Sequence, residues 1–411
     1  MADGQRTPQP LETPVRIANL AFVGLGGVLV LVCLLLFGQT VGFGFVRADD
    51  ADLITGNQAF LSELSNAPRV FLRSYFEVDG ELSNLETYYR PLVVLSFMVD
   101  AQFAGGGQAV YHATNIILHA IVVVLLFGLA LRLGAGRYAA FGAALLFAVH
   151  PLTVQTVSWI VGRNDSLLAI FALLSLIGLD AAVRDKRVWG FWLHLVTFAL
   201  ALFTKETGIV LLPAYGLIVW LWYDRLGFYR EVRWLPWSYF GAAGVWMAVR
   251  HFALAGGEVS ATPGESLMTF ARNFPQLLAY FGKAVFPVSL NVMPSVDPRA
   301  LGLGVVAVGV LGVTLRRLPT RRMAVVLSWF VLFLLPPLVV PNLPAYEHRT
   351  YVPLLGLAIG LSQLPSLAGN QWRWTGSRYV LVALTIVFGV LTLRHVPTFH
   401  DPLTFWVSAT R

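Results

Sequence analysis

The feature that most constrains this chain is the return, eleven times, of an apolar run close to the ~20 residues that cross a bilayer as a helix. The runs lie near 17–43, 110–131, 138–158, 166–183, 188–204, 207–223, 236–254, 301–315, 323–341, 350–366 and 379–394. The composition agrees: 57% of the 411 residues are hydrophobic, 12% are charged and the mean hydropathy is +0.69, outside the range of soluble domains. An all-α polytopic membrane protein with about eleven transmembrane helices is expected. The first run is too long for a signal-peptide core and has no small-residue cleavage site, so it reads as an uncleaved span behind a polar tail, 1–16. The single cysteine, Cys33, lies inside that run, which excludes an internal disulfide and suggests an inert, packed thiol.

The net charge of +7 is not a nucleic-acid signal, because the basic residues gather in short loops between spans. Arg132 and Arg137; Arg184, Lys186 and Arg187; Arg225, Arg230 and Arg233; Arg316, Arg317, Arg321 and Arg322; and Arg373 and Arg378 occupy alternate connections. The positive-inside rule puts these five loops and the amino terminus in the cytoplasm, and the tail 396–411 outside. Only Lys186, Lys205 and Lys283 are lysines among the 29 basic residues, a bias of GC-rich prokaryotic genomes, so the expected location is a bacterial inner membrane.

The opposite face carries mixed chemistry. Two long outer loops are expected, 45–109 and 255–300, within a transmembrane domain 17–395. The first opens with Asp49, Asp50 and Asp52 at the lip of the bilayer, where like-charged carboxylates are costly to desolvate. It also carries Asp79 and Arg90, and ends in an apolar stretch, from Pro91, too short to span and read as a re-entrant or interfacial helix. The second has an amphipathic middle near 267–286. His112, Asn115 and His119 follow at i, i+3 and i+7, on one helical face. His150, Trp159, Arg163 and Asp165 stand at the mouth of the third run, Lys205 and Glu206 between the fifth and sixth, and Glu347, His348 and Arg349 before the tenth. Each has a plain explanation: the paired acids as a helix stop, His119 as a helix–helix hydrogen bond, Lys205 and Glu206 as a local ion pair, Trp159 as an interfacial anchor. Their convergence on one face points instead to an outward cavity with acids opposite cations. A carboxylate there can take a proton from an attacking hydroxyl while cations stabilise a departing phosphate. No nucleotide-binding glycine loop or Walker pattern occurs, which argues against a soluble nucleotide donor.

The segments FVRADDADLITGN, YRPLVVLSF, YHATNIILH, FAVHPLTVQTVSWIVGRND, FTKETGIVLLP and YEHRTYVPLLG occur in the order found in the transmembrane-and-tetratricopeptide O-mannosyltransferases. The chain resembles that family, and through it the protein O-mannosyltransferases, from about Phe43 to Trp406. The resemblance implies a GT-C fold and hexose transfer, with mannose the first candidate, from a polyprenyl-phosphate donor to a hydroxyl, with inversion at the anomeric carbon. It implies that Asp49 or Asp50 is the catalytic base. Arg163, Lys205 and Arg349 would bind the donor phosphate, and Arg90, His112, Asn115, His150, Asp165, Glu206, Glu347 and His348 would shape the cavity. No cofactor is implied; acids and histidines converge enough to consider a divalent metal, but the enzymes resembled do without one. Two departures matter: the tetratricopeptide repeats are not among these residues, and E-H-R-T-Y stands where the family often has E-R-x-Y. The expected partners are a lipid-linked sugar, a protein or glycan acceptor and the bilayer, with no nucleic acid. Competing readings are transfer to a glycan or lipid acceptor, a lipid-linked-sugar transporter or flippase, and an inactive scaffold. A transporter would place its charges near the bilayer midplane and show internal repeats; here the charges gather at one interface.

Overall fold

A computed structural model describes residues 13–78, 81–82, 88–225, 227–254, 262–293, 298–315, 320–340, 346–367 and 374–410. Asp79, Arg316, Arg317 and Arg373 lie outside the described residues, as do 1–12 and 255–261.

The described residues are mostly helical. α1 (Thr13–Phe37) leads into a long connecting segment with α2 (Gln58–Ser62), a 3-10 stretch (Leu64–Leu72) and a two-stranded antiparallel ribbon, β1 (Glu77–Val78) against β2 (Glu81–Leu82). Then come α3 (Pro91–Ala104), α4 (Ala109–Arg132), α5 (Arg137–Ala148), α6 (Val154–Ser158), α7 (Arg163–Val183), α8 (Val188–Thr204), α9 (Leu211–Leu217), α10 (Phe228–Glu231) and α11 (Trp234–Ala253). α12 (Pro263–Val285), α13 (Pro298–Leu315), α14 (Thr320–Leu338), α15 (Tyr351–Leu367), α16 (Trp374–His395) and α17 (Pro402–Ala409) complete it. Every one of the eleven apolar runs falls on helix. Among the described residues, five helices are long and apolar enough to cross a membrane unaided, and the α5–α6 pair makes a sixth if taken as one span.

That pair corrects the expectation of one straight span over 138–158. Pro151 lacks an N–H and holds His150 in an extended conformation, so the helix breaks and its halves bend by 55°. A second break follows at Trp159, before α7. Freed backbone groups at membrane depth are tolerated only when buried in protein, and every residue from 146 to 166 is buried. The carbonyls are taken up individually. The Asn115 amide donates to Val157, Trp159 and Ile160 at 3.0–3.2 Å, and the Thr392 hydroxyl donates to Val149 at 2.7 Å.

Helix contacts in lipid depend on close packing rather than on exclusion of water. α7 meets α8 through Gly178 and Gly190: a Cβ on Gly178 would stand 2.7 Å from the Gly190 carbonyl oxygen. The connecting segment after α1 instead buries Phe43, Val46, Leu61 and Tyr75 against α3, the 149–161 stretch and the C-terminal Phe399 and Phe405. There each large apolar side chain contributes about 1.5–3 kcal/mol. The tail 396–411 therefore contains a docked element: Phe399 and Phe405 are fully buried, and the Gly44 N–H donates to the His400 carbonyl at 2.9 Å.

The basic loops meet at the other end. Asp180 is shared by Arg132 (2.8 Å), Arg184 (3.2 Å) and the Tyr223 hydroxyl (2.7 Å), and Arg321 pairs with Asp224 at 3.0 Å.

Candidate active site

At the C-terminal end of α1 the chain leaves a 3-10 turn (Gly38–Gly42) and reaches Arg47, whose φ of 54° is left-handed and strained for a residue with a side chain. Asp50 holds this turn. Its two carboxylate oxygens accept from the amides on either side of Arg47, Val46 at 2.7 Å and Ala48 at 3.0 Å, and the residue is 1% exposed. Asp49, half-buried, is turned into a cavity. Burial raises its pKa to about 6; Arg90 opposes the rise, and Asp50 and Asp52 add to it.

The cavity encloses about 300 Å³, in the range of small-ligand sites. Its charged lining comprises Asp49, Asp165 and Glu206 against Arg90, Lys205 and Arg349, with His348 among them. Most of these charges are paired. Arg90 lies over the Tyr88 ring and donates to Glu206 at 3.1 Å, and the Tyr89 amide donates to the other Glu206 oxygen at 2.8 Å. Lys205 donates to Asp165 at 2.7 Å and Asn164 at 3.1 Å; burial lowers its pKa, against the pull of Asp165. His348 is kept neutral by burial and by the cations Lys205, Arg349 and Arg90. Arg349 differs. Among the described residues no carboxylate pairs with it; it rests on the Tyr346 ring, and its Nη1 is buried without a hydrogen-bond partner. Among the described residues the cavity thus holds one acid without an ion-pair partner, Asp49, and one arginine without a carboxylate partner, Arg349, which also meets the Tyr280 hydroxyl.

Six residues expected at the site lie elsewhere. Asp50 is occupied by backbone amides. Arg163 does not line the cavity and is engaged elsewhere: it donates to Asn115 (2.9 Å), Asp100 (2.6 Å), Ser96 (3.3 Å) and the Tyr111 carbonyl (2.8 Å). All three guanidinium nitrogens are engaged and the side chain is fully buried, so it is not presented to a phosphate in this cavity. Asn115 holds Arg163 and the broken helix. His150 accepts from the Leu152 amide through Nδ1 and bonds the Ala284 carbonyl through Nε2, 3.1 Å. His112 packs edge-on against Phe43. Glu347 lies behind the cavity wall, bound to Lys283 at 2.7 Å.

Other contributors escaped the sequence reading. Asn164 helps hold Lys205. Pro336 and Pro337, ending α14, line the cavity, and paired prolines at a helix end were the signal available. Asp100, alone in an apolar helix, signalled a buried counter-ion for Arg163. A larger cavity of about 470 Å³ lies among α5 and α12–α16, but among the described residues His150 is its only titratable lining residue. Among the described residues no group of three or more His, Cys, Asp or Glu could hold a metal.

Over 91% of its length the chain matches the oligosaccharyltransferase of Archaeoglobus fulgidus, solved with a tethered acceptor peptide; the TM-score is 0.51, the identity 11%, and 55% of that chain is covered. The molecule thus has the GT-C fold of membrane glycosyltransferases. Within it, residues 94–256 match the family model for dolichyl-phosphate-mannose-protein mannosyltransferase. Human protein O-mannosyl-transferase TMTC4 is 34% identical over 209 residues, which is 45% of this chain and 27% of that protein. Human TMTC1 is 31% identical over 217 residues, 50% of this chain and 24% of that protein. The resemblance read from the motifs is borne out, and the chain spans about a quarter of the length of these curated relatives.

Proposed function

We propose that this multi-pass membrane protein transfers a hexose, mannose being the first candidate, from a polyprenyl-phosphate donor to a hydroxyl on protein Ser or Thr at the outer, periplasmic face of a bacterial inner membrane. The observation that carries the reading is the presence, in one cavity, of Asp49, a carboxylate without an ion-pair partner, and Arg349, an arginine without a carboxylate partner, among the described residues. The resemblance to mannosyltransferases named for a lipid-phosphate sugar supports the choice of donor.

In this reading Asp49 removes the acceptor hydroxyl proton as the oxygen attacks the anomeric carbon. The bond from that carbon to the phosphate oxygen breaks, and the phosphate leaves with the electron pair, stabilised by Arg349 and Lys205. Attack from the side opposite the phosphate inverts the anomeric centre. A raised carboxylate pKa suits the base, because proton transfer is most effective when the pKa approaches the working pH. Asp50 positions the loop, Glu206 aims Arg90, and Asn164 and Asp165 aim Lys205.

The test is purified protein in lipid nanodiscs, labelled polyprenyl-phosphate mannose and a membrane-protein extract. Label should become covalently attached to protein and be released by β-elimination. Label on glycan or lipid alone would replace the acceptor, and no transfer with any polyprenyl-phosphate hexose would overturn the reading. Sidedness is tested separately: a reporter fused after Arg187 should read cytoplasmic, and the opposite result would reverse the assigned face.

A further inference from the structure

Glu347 immediately precedes the two cavity residues His348 and Arg349, yet its carboxylate turns away from the cavity. One oxygen accepts from Lys283 Nζ at 2.7 Å and from the Asn291 amide at 3.0 Å; the other stands 3.5 Å from His395 Nε2. The residue is 1% exposed. Thr350 closes the turn by donating to the Glu347 carbonyl at 2.6 Å. On the far side the His348 amide donates to Gln155 at 2.8 Å, and Gln155 in turn donates to the Val292 carbonyl at 3.0 Å. The 3-10 turn Glu347–Thr350 is therefore fixed from α6, the end of α12, the 289–292 segment and the end of α16. One further link reaches the C-terminal helix: Ser408 Oγ donates to Asn291 Oδ1 at 3.1 Å.

Among the described residues Arg349 has no acid to orient it; it has the Tyr346 ring and the Tyr280 hydroxyl, so its direction depends on them and on where this turn holds its backbone. Charge-assisted bonds made by a buried carboxylate to several donors are short and directional, and displacing a binding group by about 1 Å is enough to impair a site. We propose that Glu347 is a positioning residue: through the turn it aims Arg349 at the phosphate of the lipid-linked donor, and Asn291 and Ser408 extend that support to α17. The proposal rests on the functional reading above.

The experiment uses the full chain in nanodiscs with undecaprenyl phosphate as the probe, titrated against wild type, Glu347→Gln, Arg349→Ala and the double variant. Glu347→Gln keeps the volume and one acceptor but loses the charge that binds Lys283. It should weaken probe affinity about tenfold, the loss of one charge-assisted contact, and should cost nothing further in the Arg349→Ala background. Ser408→Ala, remote and mild, should weaken binding about twofold, an effect that also vanishes without Arg349. It carries the test if Glu347→Gln does not fold. Equal losses in both backgrounds, or wild-type affinity in Glu347→Gln, would overturn the positioning role while leaving the lipid-phosphate reading intact. Failure of wild type itself to bind the probe would remove both.

Discussion

Two charged regions stand near one end of the helices, and in sequence they look alike: an arginine beside polar residues at the mouth of an apolar run. Around Arg163 every guanidinium nitrogen is engaged, the partner Asp100 is buried with it, and neither lines the cavity that Arg349 lines. Around Arg349 a cavity of about 300 Å³ remains, and a guanidinium nitrogen and the Asp49 carboxylate are left unmatched. The two aspartates of the first loop divide the same way, Asp50 closed on backbone amides and Asp49 open to the cavity. Burial alone does not separate a structural charge from a functional one; saturation of its hydrogen-bonding capacity does. The closed groups should therefore govern stability and the open ones chemistry, and the comparison can be broken one residue at a time.

The largest effect is expected at Asp49. Asn keeps its shape but cannot accept the proton, so Asp49→Asn should slow single-turnover sugar transfer about 10²–10⁴-fold with no loss of thermal stability. Asp50→Asn should do the reverse: one of two amide acceptors becomes a donor, and about 1–3 kcal/mol of stability should be lost. If Asp49→Asn transfers sugar at the wild-type rate, the open acid is not the base.

Next comes Arg163. Removing one partner of a buried pair strands the other, at about 3–5 kcal/mol. Arg163→Ala should show this in thermal unfolding, while the folded fraction keeps its affinity for the lipid phosphate. A variant that melts like wild type but binds poorly would return Arg163 to the site and erase the contrast.

Arg349 should give the complement. Loss of its bond to phosphate, about 1.5–3 kcal/mol, should weaken donor binding by about tenfold or more in Arg349→Ala with little change in melting. Arg349→Lys should recover only part, because a planar fork becomes a point charge. Equal affinity in all three proteins would exclude Arg349 from the phosphate subsite.

How much of this could be read beforehand follows from what each feature depends on. The apolar runs identify the helices because length and hydropathy are local properties. The convergence of Asp49, Lys205, His348 and Arg349 was legible from sidedness, since alternate basic loops sort the remaining charges onto the other face. The division between Asp49 and Asp50 was not, because it depends on the left-handed turn at Arg47. Nor was the removal of Arg163, since Asp100 lies 63 residues away in sequence and only the packing of α3 against α4 and α7 joins them. His150 and Asn115 read as cavity groups because polar residues at membrane depth suggest function. Here they satisfy backbone freed by Pro151 and by the break at Trp159.

The smallest effect, and the one that most sharpens the contrast, is its dependence on pH. With a pKa near 6 in the folded protein, Asp49 should be an active base only when ionised. Transfer should rise through pH 6 and level off above about 7, falling toward tenfold per unit at the acid end. Stability should move the other way. The folded state binds this proton more tightly than the unfolded chain, where an aspartate titrates near 3.9. Protonated Asp49 is therefore compatible with the fold at no cost, and stability declines as pH rises from about 4 through 6, then stays level. Asn at this position mimics the neutral acid at every pH. The difference in unfolding temperature between Asp49→Asn and wild type should thus be near zero at pH 4 and favour the variant by pH 7, while other carboxylates cancel between the two proteins. If the two melting curves stay parallel across this range, Asp49 has an ordinary pKa, and its burial beside Asp50 and Asp52 does not tune it.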